Sequence, residues 1–188
     1  MKQDNPALKY GLIGAIVMVA VGIVMQLMAV SYLEKVSAEP ETFSAGKSIL
    51  FSIISLLIIV GIFIFCIVKA IKDYRRTNPE YTYRKMVAQG LLVTLIIVLV
   101  SAGISYIYNT FITPEAKEKT IEYTKLIYEN MEMPEETREK AIEKLNNPNP
   151  VREMVTSIGL TLLLGMIISL ITATVMNRRD IQNPNQLR

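Results

Sequence analysis

Apolar residues in this chain fall into four unbroken blocks. They show neither the three-and-four spacing of an amphipathic helix nor the alternation of a half-buried strand. The blocks cover about 11–33, 48–68, 86–108 and 154–176, each 21 to 23 residues long and free of Asp, Glu, Lys and Arg. At ~1.5 Å of rise per residue, such a block is ~32 to 35 Å long as a helix. That length crosses a hydrocarbon core of ~30 Å with some tilt. Transmembrane β-strands are short and alternate in character, whereas Leu91-Leu92-Val93 through Val100 is a nearly continuous apolar run. The expected architecture is therefore all-α: a four-helix transmembrane bundle forming a single transmembrane domain over 1–188. Lys2 and Lys9, with Val36-Ser37-Ala38 downstream, have the outline of a signal peptide. The first block is longer than the ~7 to 15 residues of a signal-peptide core, so it is read as a retained span.

The stretch 109–153 is the one sizeable polar insertion, and it predicts a helical hairpin between the third and fourth spans. Thr113-Pro114-Glu115 reads as an N-cap, a Pro in the first turn and an early acid. Tyr123, Ile127 and Met131 follow at four-residue spacing. Pro134-Glu135-Glu136 opens a second, shorter helix with Ala141, Ile142 and Leu145 on one face. Asn146-Asn147-Pro148-Asn149-Pro150 ends it. The insertion has seven basic and ten acidic residues, which reads as a solvated connector over the bundle mouth rather than a membrane-surface helix.

Basic residues orient the spans. Lys69, Lys72, Arg75, Arg76, Arg84 and Lys85 crowd the short loop between spans two and three, Lys2 and Lys9 precede span one, and Arg178, Arg179 and Arg188 follow span four. The loop between spans one and two holds only Lys35 and Lys47, with three Glu. The positive-inside bias places both termini and the middle loop in the cytoplasm and the hairpin outside. Tyr10, Tyr74, Tyr81 and Tyr83 then mark the inner interface, and Tyr32, Tyr106 and Tyr108 the outer one.

Composition narrows the chemistry. Of 188 residues, 51% are hydrophobic and 20% charged, with a net charge of +3. The basic residues sit at span ends, so the charge does not point to nucleic acid. The chain has no His and one Cys, Cys66, inside span two, which leaves no imidazole base, disulfide or thiolate metal site. No phosphate loop or nucleophile elbow occurs, no cofactor or metal is implied, and no enzyme is expected.

Inside the spans, the polar groups are amides, hydroxyls and small residues. Ser157, Thr161, Gly165, Ser169 and Ala173 recur every four residues along span four and form a helix-packing stripe. Ala15, Gly22 and Ala29 share a face of span one with Gln26. Ser48, Ser52 and Ser55 share one on span two, and Thr94, Ser101 and Ser105 one on span three. If the span midpoints lie at one depth, then Gln26, Ser55, Ser101 and Thr161 form an intramembrane polar layer ~6 Å outward of them. Hydroxyls there would partner an amide that hydrocarbon cannot. The layer is read as interhelical glue, with a solute lining as the alternative.

The order of short motifs adds a family. Asn5-Pro6-Ala7-Leu8-Lys9-Tyr10-Gly11 leads into span one, Ile71-Lys72-Asp73-Tyr74-Arg75 follows span two, and Gln89-Gly90 opens span three. Phe111-Ile112 and Pro114 close it, and Gly165-Met166-Ile167-Ile168-Ser169-Leu170-Ile171 leads to the basic end of span four. This series resembles the bacterial membrane-protein family catalogued as domain of unknown function 4199. The resemblance implies four spans in a bacterial inner membrane and no particular activity. The expected role is a non-enzymatic accessory or scaffold component, with the lipid bilayer and either a membrane protein or a second copy as partners. A small-solute transporter or channel, working alone or as an oligomer, is the alternative.

Overall fold

The structure, a computed structural model, describes residues 5–39, 45–78, 80–108, 111, 119, 121–122, 124–125, 128–129, 134–146 and 150–182. Its order is α1 (Pro6–Ala38), α2 (Ala45–Thr77), α3 (Tyr83–Ile107), α4 (Glu135–Asn146) and α5 (Pro150–Gln182). No strand occurs among the described residues. The four long helices are apolar and long enough to cross a membrane, which marks a membrane protein. Helices α1, α2 and α5 contain their expected blocks and run well past them into polar flanks, and α3 covers its block up to Ile107.

Local chemistry explains the helix starts. Asn5 stands in an extended conformation and its side chain accepts from the Ala7 amide at 3.0 Å, with Pro6 in the first turn of α1. Thr82 caps α3 in the same way, accepting from the Lys85 amide at 3.4 Å. Helix α4 opens at Glu135, where Pro134-Glu135-Glu136 places it, with acids in its first turn that suit the helix dipole. Most of the first expected hairpin helix, together with Asn147–Asn149, lies outside the described residues.

Helix α3 packs against α1, α2 and α5. The small-residue stripe favours the fourth span as the most buried, but α3 is buried to the same extent over its apolar stretch. The core is lopsided. Phe63, Ile67 and Ile71 of α2, Met86, Val93 and Ile97 of α3, and Ala7 of α1 are fully buried towards the end where α2 turns into α3. At the far end the faces open, and large apolar residues such as Leu27, Leu50, Val155 and Leu160 are more than half exposed. An outward apolar band of that kind is what lipid covers.

Cys66 is a buried free thiol on α2, and a Cβ added at Gly14 of α1 would come within 3.0 Å of its sulfur. It acts as a small packing group there, in keeping with the usual behaviour of a buried Cys.

Candidate functional site

The α3–α5 seam is built from two reciprocal contacts. Gly90 of α3 faces Ser169 of α5, and a Cβ added at Gly90 would lie 2.5 Å from the Ser169 hydroxyl. One turn away the roles swap: Gly165 of α5 faces Thr94 of α3, and an added Cβ would lie 2.8 Å from the Thr94 Cβ. Both hydroxyls are buried and bond back to the carbonyl one turn earlier. Thr94 Oγ1 donates to Gly90 O at 3.0 Å, and Ser169 Oγ to Gly165 O at 2.7 Å. Small residues thus let two backbones approach closely, as helices in lipid require. The packing stripe divides along its length: Gly165, Ser169 and Ala173 are buried, Thr161 is half-buried and Ser157 is exposed.

The members of the polar layer do not all sit at one height. Gly11 and Gly14 of α1 rest against Ile96 and Ile97 of α3. Gly11 lies in the second turn of its helix and Ile96 in the fourth turn of its own. Helix α1 is therefore displaced along α3 by about two turns, ~11 Å, away from the α2–α3 turn. The midpoints of α1 and α3 do not share a depth. As a result, Gln26 comes beside Ser105 and Tyr108, one to two turns beyond Ser101. With Val19, Gly22 and Ile23 they line a cavity of about 220 Å³ that is open on one side.

The three hydroxyls expected around Gln26 each donate to a carbonyl of their own helix. Ser55 bonds Phe51 O at 2.9 Å, Ser101 bonds Val98 O at 3.3 Å and Thr161 bonds Ser157 O at 2.8 Å. Ser55 does reach the height of Gln26, since its hydroxyl lies 3.5 Å from Met25 Sδ on α1. Ser105 and Tyr108 are the residues that sequence reasoning left out of this group. Ser105 shares a face with Ser101, and the inter-helix offset selects between them.

At the other end, three of the sequence motifs converge. Tyr10 of α1 donates to Asp73 Oδ2 of α2 at 2.6 Å. The Arg75 guanidinium stacks on the Tyr81 ring at 4.8 Å and donates to its hydroxyl at 3.3 Å. The Tyr83 hydroxyl pairs with that of Thr174 on α5 at 3.4 Å. Gln89 Oε1 is buried without a hydrogen-bond partner among the described residues. An unpaired acceptor is costly in an apolar surround, so Gln89→Met should leave the thermal midpoint in detergent unchanged or raise it. A drop of several degrees, followed by circular dichroism, would show that the amide makes a contact that matters.

Among the described residues, no three of His, Cys, Asp and Glu gather to hold a metal ion. The site chemistry comprises a half-open amide-hydroxyl-phenol pocket at one end, a closed glycine seam in the middle and a basic aromatic rim at the other end. The family model described as protein of unknown function (DUF4199) matches residues 9–178. No curated protein and no solved structure matches the chain.

Proposed function

The chain belongs to the DUF4199 family, and from that premise we propose that it is a non-enzymatic, multi-pass accessory or scaffold protein of a bacterial inner membrane. The α3–α5 seam is the observation that carries this reading. Two glycine contacts shut it, and its hydroxyls are turned onto their own backbones. A seam of that kind builds a rigid, dry support and offers no string of hydration partners to a passing solute. Intramembrane proton relays and ion-coupled carriers depend on ionisable side chains, and the four apolar blocks have none. Cross-linking in native membranes followed by purification in mild detergent tests the role. One membrane protein in fixed stoichiometry with the chain supports it, and a chain recovered only by itself overturns it.

The cavity beside Gln26 favours a second reading, a small-solute transporter or channel working as an oligomer. Accelerated efflux of a neutral polar solute such as glycerol from proteoliposomes would support transport. Efflux equal to that of protein-free vesicles would dismiss it.

Both termini are proposed to be cytoplasmic, with α4 outside. The reading rests on the basic residues at 69–85. Cysteines placed at Glu80 and at Glu143 in a Cys66→Ala background should be distinguished by a membrane-impermeant thiol reagent on intact cells, with only the Glu143 site labelled. The opposite pattern would invert the topology.

A further inference from the structure

Among the described residues, the basic rim has more positive charge than ion pairs take up. Lys72, Arg76, Arg84 and Lys85 are exposed on the turn from α2 to α3, and Arg178 is exposed near the end of α5. Among the described residues, Lys72, Arg76, Arg84 and Arg178 make no ion pair, and Lys85 Nζ reaches only the Glu80 carbonyl, at 3.4 Å. Asp73 and Glu80 are the acids between 69 and 85, and Asp73 is engaged by Tyr10. Helix α4 handles its cations differently: Arg138 pairs with Glu135 and Lys140 with Glu136.

Helix dipoles account for only part of the rim. Arg75 and Arg76 lie in the last turn of α2, where a cation is favoured. Arg84 and Lys85 lie in the first turn of α3, which has no acid and where a cation is disfavoured. Two cations that no acid compensates among the described residues, set against the positive end of a dipole, lower the stability of the isolated chain, so an external anion is their natural complement. Aromatic rings border the rim. The Lys9 amine lies 5.4 Å from the Tyr10 ring, that of Lys69 lies 5.9 Å from the Phe65 ring, and Arg75 stacks on Tyr81. Cations resting on aromatic rings at the ends of apolar helices suit the zone where hydrocarbon gives way to headgroups.

We propose that this rim is a docking surface for the headgroups of anionic phospholipids in the adjoining leaflet, with Lys72, Arg76, Arg84, Lys85 and Arg178 as the counter-charges. A lipid fits better than a soluble anion because the charges ring the ends of membrane-crossing helices. A phosphodiester reaches them there while its acyl chains cover the apolar band below. The inference rests on the membrane-spanning reading and is independent of whether the role is scaffolding or transport.

Native mass spectrometry of the full chain in detergent tests it, with phosphatidylglycerol, phosphatidylcholine of the same acyl chains and inorganic phosphate titrated separately. Phosphatidylglycerol adducts should exceed phosphatidylcholine adducts by about tenfold at equal concentration. Removing four of the five counter-charges, in Lys72→Gln/Arg76→Gln/Arg84→Gln/Lys85→Gln, should bring the two lipids to within about twofold. A variant of equal charge loss elsewhere, Lys35→Gln/Arg138→Gln/Lys140→Gln/Lys144→Gln, should keep the preference. The preference of the unmodified chain should also collapse near 1 M salt, where the screening length falls to ~3 Å, a readout that does not depend on the variant folding. Equal binding of the two lipids, equal loss in both variants, persistence at 1 M salt, or phosphate adducts as abundant as phosphatidylglycerol adducts would each overturn the proposal. Failure of both lipids to bind would overturn the membrane-spanning reading with it.

Discussion

Gly165→Leu is expected to lower the thermal midpoint in detergent more than any other substitution named here, at a cost of about 3 kcal/mol, the upper part of the overpacking range. The Cβ alone already overlaps the Thr94 side chain, lying 2.8 Å from its Cβ. That neighbour has little freedom to yield. Thr is branched at Cβ and stiff about χ1, and rotating it would break the 3.0 Å bond from its hydroxyl to Gly90 O. Helix α5 cannot simply back away, because the Gly90–Ser169 contact one turn along ties the same two backbones. Lipid also removes the usual compensation, since pushing helices apart there exposes apolar surface to an apolar solvent and close packing is most of what holds the seam.

Two controls separate overpacking from a general loss of tolerance. Ile168→Leu keeps its volume at a buried position and should cost under about 1.5 kcal/mol. Thr94→Ala should recover part of the loss in a Gly165→Ala background. Gly14→Ala should be milder than Gly165→Ala, because its Cβ meets the flexible end of Ile97, Cδ1 at 2.6 Å, rather than a branch point. An unchanged midpoint for Gly165→Leu, followed by circular dichroism, would mean that the seam is not packed as described.

What could be read from the sequence divides along a physical line. The spans were legible because hydrocarbon thickness imposes a length and forbids unpaired charge, and both constraints act on each segment separately. The start of α4 was legible for the same reason: Pro134-Glu135-Glu136 is a local signal. Spacing by four puts Gly165 and Ser169 on one helix face, and they meet Thr94 and Gly90 of α3. The company kept by Gln26 was not legible. It depends on how far one helix slides along another, which Gly11 and Gly14 fix by resting on Ile96 and Ile97. Nothing in either segment alone encodes that offset. Equal midpoints placed Ser101 beside Gln26, and the contacts bring Ser105 and Tyr108 instead. The Tyr10–Asp73 bond was beyond reach for the same reason, although Asp73 is conspicuous as an acid among six basic residues.

That bond is the polar counterpart of the glycine contacts that set the height of α1. It joins residues 63 positions apart and ties the first turns of α1 to the last turns of α2. Tyr10→Phe removes the donor and leaves a part-buried carboxylate short of a partner. A hydrogen bond to a charged group contributes about 1.5 to 3 kcal/mol when buried, and water at the bundle end should bring this one to about 1 to 2. Asp73→Ala should cost a similar amount. Because both remove one interaction, Tyr10→Phe/Asp73→Ala should cost little more than the larger single change, a coupling on the order of 1 kcal/mol. The Tyr83–Thr174 contact offers the contrast: at 3.4 Å between two neutral hydroxyls on an exposed face, Tyr83→Phe should shift stability by under about 0.5 kcal/mol. Unfolding in detergent by circular dichroism gives all four values. Strict additivity of Tyr10→Phe and Asp73→Ala would show that the 2.6 Å bond does not hold α1 to α2. The height of Gln26 beside Ser105 and Tyr108 would then rest on Gly11 and Gly14 alone.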